Sequence, residues 1–116
     1  MSPQEIFNKV AEHLLTQNQL AVNYEGTICY KTDTGLKCAI GCLINEVYYC
    51  YEIEHNTIKN IIKLNICPEY INYDTLDFLN VLQSIHDYHY PQYWYEKLKH
   101  TAVQFNLNLK ILENFN

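Results

Sequence analysis

The sequence predicts an α+β fold: one mostly helical domain over residues 1–116, with four to five helices and a small antiparallel β-hairpin near residues 27–38. Three observations carry this expectation. A capping box opens an amphipathic helix at the N-terminus, two short apolar segments flank a turn at 32–35 that ends in glycine, and apolar residues recur at helical spacing through the last third of the chain.

Ser2-Pro3-Gln4-Glu5 places Ser at the N-cap, Pro at the first helical position and Glu two residues later, ahead of Ile6, Phe7, Val10, Ala11, Leu14 and Leu15 on one stripe. A helix is expected over about residues 3–17. Thr27–Lys31 and Leu36–Cys38 around Thr32-Asp33-Thr34-Gly35 read as the hairpin, with Lys31 opposite Leu36, Tyr30 opposite Lys37 and Cys29 opposite Cys38. Cys38–Ile44 follows as a short buried helix in which Gly41 lets another helix approach. Asn56–Lys63 gives a further short helix with Ile58, Ile61 and Ile62 inward. Asp74 and Asp77 open a longer helix carrying Phe78, Leu79, Leu82 and Ile85. A last helix carries Trp94, Leu98, Ala102 and Phe105, and the alternating tail 106–112 fits either a short strand or a helix end.

Composition narrows the function. With 48% hydrophobic residues, 116 residues suffice for one core. The longest apolar run, 38–44, is far short of the about 20 residues that cross a bilayer, so no membrane span is expected. The N-terminus lacks the basic and then apolar segment of a secretory signal, which points to the cytoplasm. Five cysteines in such a chain read as reduced thiols. The net charge is −5, and the eight basic residues are scattered lysines with no arginine among them. Without arginine forks or a lysine stripe, nucleic-acid reading and phosphoryl transfer are disfavoured.

No complete catalytic set stands out. Gly26, Gly35 and Gly41 are too far apart for a phosphate loop or a dinucleotide fingerprint, and no cofactor is expected. Cys29, Cys38 and Cys42 are the weak metal candidate, three sulfurs without a CxxC knuckle or an obvious fourth ligand; as small buried hydrophobes they need no metal. His86-Asp87 resembles the core of the HD metal-dependent phosphohydrolases, with His13 or His55 as a further ligand. No Asp follows Asp87 to close such a site, and neighbouring helical residues diverge by about 100°. This pair defines the alternative reading, a metal-dependent hydrolase.

The eleven tyrosines are the stronger feature, seven of them bunched into Tyr48-Tyr49-Cys50-Tyr51 and Tyr88-His89-Tyr90-Pro91-Gln92-Tyr93-Trp94-Tyr95. Consecutive rings cannot all face one core, and exposed aromatics dominate binding hot spots. Tyr88, Tyr90, Tyr93, Trp94 and Tyr95 are therefore the expected protein-binding residues.

The order of the amphipathic first helix, Cys38-Ala-Ile-Gly-Cys-Leu-Ile44, Tyr48 and Glu52, Leu82-Gln-Ser-Ile-His-Asp87 and Trp94-x3-Leu98-x3-Ala102 resembles a family of small uncharacterised bacteriophage and prophage proteins, over roughly residues 3–105. Asn45 stands where that resemblance leads one to expect a proline. The resemblance implies an accessory protein in the host cell cytoplasm that binds a host or phage protein, as an inhibitor of a host defence system (an anti-CRISPR or similar anti-defence role). It carries no catalytic residues across. A structural phage protein or a homo-oligomer is the third reading.

Overall fold

A computed structural model describes residues 1–115 as four α-helices joined by 3₁₀ turns and irregular segments. Helix α1 spans Pro3–Gln17. Its capping box forms as predicted: the Ser2 hydroxyl accepts the Glu5 amide at 3.2 Å and the Glu5 carboxylate accepts the Ser2 N–H at 2.9 Å. Ile6, Phe7, Val10, Ala11 and Leu14 are buried along its stripe. Asn18 ends it in the left-handed region at φ 51°, donating its N–H to the Leu14 carbonyl.

Where the hairpin is expected, the chain turns back without forming paired strands, and only isolated bridges join Val22 to Ile28 and Lys31 to Lys37. The turn is one residue longer than the spacing predicts, so Lys31 faces Lys37 and not Leu36. Thr32 holds it closed from both sides, exchanging bonds with Leu36 through its backbone N–H and its hydroxyl.

A ladder does not extend because side chains take its hydrogen bonds. The Glu54 carboxylate accepts the Tyr30 and Lys31 amides at 2.8 and 3.0 Å. Gln17 accepts the Lys37 amide and donates to its carbonyl, which also receives His13 Nε2 at 2.9 Å. Backbone groups satisfied in this way have no need of a partner strand.

The Cys38–Ile44 stretch is tighter than the predicted helix, a 3₁₀ turn at Gly41–Leu43. Gly41 does serve close approach, but against the backbone of Tyr30: a Cβ there would stand 1.9 Å from the Tyr30 carbonyl oxygen. Another 3₁₀ turn at Tyr51–His55 leads to α2, Ile58–Lys63, capped by the Thr57 hydroxyl on the Asn60 amide.

Helix α3, Leu76–Tyr88, buries Phe78, Leu79, Leu82, Ile85 and His86. Asp74 does not cap it; Asn72 Oδ1 accepts the Asp74 and Thr75 amides in the turn before it. A 3₁₀ turn at Pro91–Tyr93 runs into α4, Trp94–Gln104, which packs against α3 and α1 through Trp94, Leu98 and Ala102. The tail resolves the open alternative as a 3₁₀ segment, Lys110–Phe115, lying on α1. Gln4 fastens it, accepting the Asn108 amide and donating to its carbonyl. Among the described residues no helix is long and apolar enough to cross a membrane.

Candidate functional site

The corner between α3 and α4 separates the aromatic cluster into two sets. Tyr88, Tyr90 and Tyr93 are 80%, 70% and 51% exposed, while Trp94 is at 0%. Tyr95 is half-buried. Trp94 therefore leaves the expected binding set, for a reason its helical spacing already contains: it shares the stripe of Leu98 and Ala102 and faces inward with them. Its indole N–H donates to the His89 carbonyl at 3.0 Å, and its ring stacks on His86 at 5.5 Å between centroids. The three exposed tyrosines thus project from a corner pinned by a buried aromatic pair.

His86 is fully buried and both its ring nitrogens are engaged. The Ala21 amide can only donate, so Nε2 accepts it at 2.9 Å and the ring proton sits on Nδ1, 2.8 Å from Asp87 Oδ1. Gln83 completes the network by donating to Asp87 at 3.1 Å and accepting the Ile40 amide at 3.0 Å. His86 and Asp87 thereby join the segments around Ala21 and Ile40 to α3. A metal on Nε2 would have to displace the Ala21 bond, so the ring offers no free lone pair for the hydrolase alternative.

The cysteines are also occupied singly. Cys29 donates its Sγ–H to the Thr27 carbonyl and Cys42 donates to the Ala39 carbonyl, while Cys38 Sγ accepts the Gly41 amide. Burial is the main cause pushing the Cys38 and Cys42 thiols up to about 12, so both are protonated and poor ligands or nucleophiles at neutral pH. Cys29 does not oppose Cys38, because its amide bonds the Ala21 carbonyl instead. Among the described residues no group of three or more His, Cys, Asp or Glu side chains is placed to hold a metal ion.

Polar groups do gather elsewhere. A cleft of about 610 Å³ opens between the Ile28–Tyr30 segment, the 51–55 turn with the start of α2, and the C-terminal half of α3. Glu54, His55, Asn80, Ser84, Asp87 and Tyr88 stand on its walls. Its size lies within the usual range for ligand sites. Asp87 presents a carboxylate 24% exposed, and His86 lies behind it, away from the opening. Glu54 also accepts the Tyr49 hydroxyl at 2.6 Å, so backbone and phenol dipoles stabilise its charge. Burial raises the Tyr30 phenol well above its usual range, with Cys38, Asp87 and Glu54 adding to the rise.

Sequence reasoning missed Glu54, Gln83 and the cleft itself, which is assembled from three segments far apart in the chain. One local signal was present: neither Glu54 nor Asp87 has a lysine three or four residues away to compensate it. Comparison with protein-family models, with curated proteins and with solved structures finds no match.

Proposed function

We propose that this chain is a small phage or prophage accessory protein of the host cell cytoplasm that acts by binding a host or phage protein, as an inhibitor of a host defence system. The observation that supports protein binding is the corner Tyr88–Tyr93, where three large exposed rings stand on a base fixed by Trp94 and His86. Tyrosine supplies wide contact area at low entropic cost, and a pinned corner loses little further freedom on docking. The phage and anti-defence parts of the proposal come from the resemblance of the sequence pattern.

Pulldown from host lysate with the paired substitution Tyr90→Ser and Tyr93→Ser tests the surface. We expect the partner captured by the unaltered protein to be lost by at least about tenfold, as for central aromatic anchors. Undiminished capture by a variant with unchanged circular dichroism and melting would remove this corner from the interface. Trp94→Ala is unsuitable for the purpose, since Trp94 is buried and its truncation tests folding.

A further inference from the structure

Two carboxylates, Glu54 and Asp87, face the cleft, and no lysine lines it. Among the described residues Lys31 forms an ion pair with Glu46, and His86 bonds to Asp87. The second contact does not neutralise Asp87, because the Ala21 amide on Nε2 leaves His86 with one proton and no charge. Asp87 also stands in the last turn of α3, where the carbonyl end of the helix dipole reinforces its negative field. An acid at that end costs stability, and the cost is relieved when a cation arrives. Beside it Tyr88 offers an open ring, and the half-buried ring of Tyr30 forms part of the wall, surfaces that attract a cation over their faces.

We infer that the cleft receives a lysine or arginine side chain of the partner protein, its cationic end at Asp87 and its stem against Tyr88 and Tyr30. This rests on the protein-binding reading and adds to it the chemistry of one contact. Tyr88 belongs to both the exposed corner and the cleft wall, so a partner docked on the tyrosines has its neighbouring side chain directed inward. The charge complementarity selects a basic side chain over an acidic or apolar one.

The test needs no partner. Isotope-labelled protein is titrated with blocked Gly-Lys-Gly and Gly-Arg-Gly peptides and with the neutral Gly-norleucine-Gly peptide, following backbone amide shifts. The basic peptides should move Ser84, Asp87, Tyr88, Cys29 and Asn56, and norleucine should not. Asp87→Asn keeps an oxygen for His86 and Gln83, and should weaken the basic peptides by about threefold or more, as loss of one partly exposed charge would. Raised salt on the unaltered protein should weaken them similarly, which keeps the inference testable if the variant fails to fold. Equal shifts with norleucine, indifference to both charge and salt, or no shifts at all would overturn it. So would the same shifts on diluting the protein alone, which would place a lysine of a second copy there. Tyr90→Ser with Tyr93→Ser leaves the cleft intact, so failure of the tyrosine corner and failure of the cleft are read separately.

Discussion

Gly41 and Gly35 show two different reasons for the same residue. Gly35 closes the 32–35 turn at φ 92° with open space around it, so a side chain there is strained but meets nothing. Gly41 is tight because the Tyr30 carbonyl would lie 1.9 Å from an added Cβ, and that neighbour is backbone held by Glu54 and by the Cys38 amide. Gly41→Ala should therefore cost about 3 kcal/mol or abolish folding, whereas Gly35→Ala should cost about 1 kcal/mol, read from urea unfolding midpoints. Equal losses would mean that the Tyr30 segment yields easily. The need for a small residue at 41 was legible in the run of small and apolar residues at 38–44. The identity of the group that approaches it was not, since a carbonyl eleven residues back leaves no mark on periodicity.

Among the elements, the helices were the legible ones. Ser2 and Glu5 announce α1, and the stripes Phe78–Ile85 and Trp94–Ala102 announce α3 and α4, because each of these helices buries one face. The hairpin was misread for the opposite reason. Local turn chemistry at Thr32–Gly35 was right, but the groups that replace the ladder come from His13, Gln17 and Glu54. Glu54 acts as a substitute strand edge for Tyr30 and Lys31, and its removal should loosen that segment before the core. In Glu54→Gln an amide nitrogen faces amide donors, leaving a hydrogen bond unmade at about 1–3 kcal/mol. Hydrogen exchange at Tyr30 and Lys31 should accelerate by at least about tenfold while α1 and α3 amides keep their protection. Uniform acceleration over all elements would show that Glu54 supports the whole fold and not this segment.

At the scale of the whole molecule, the core unites α1, α3 and α4 with the 38–44 segment and the 51–71 stretch that carries α2, and the cleft lies where the Ile28–Tyr30 segment and residues 54–58 meet α3. The core could be anticipated from apolar spacing. The cleft could not, because its walls are set by how the irregular segments settle on α3 through the bonds from Ala21 to His86 and from Ile40 to Gln83. Another group joins helix to irregular chain and makes stability depend on pH. His13 on α1 donates to the Lys37 carbonyl, and burial against that segment lowers its pKa below 6.5. The Lys37 bond works against the shift, while the ammonium groups of Lys37 and Lys9 add their positive fields to it. The folded chain thus binds this proton less readily than the unfolded chain, so protons favour unfolding. The contribution of His13 is complete above about pH 6.5 and is lost as the pH falls from there through the folded value. Melting temperature should accordingly drop between neutral and mildly acidic pH, and His13→Gln, which can still donate to Lys37 but cannot titrate, should make the drop shallower. An unchanged slope in that variant would assign the acid sensitivity to other groups and leave the α1 junction indifferent to protons.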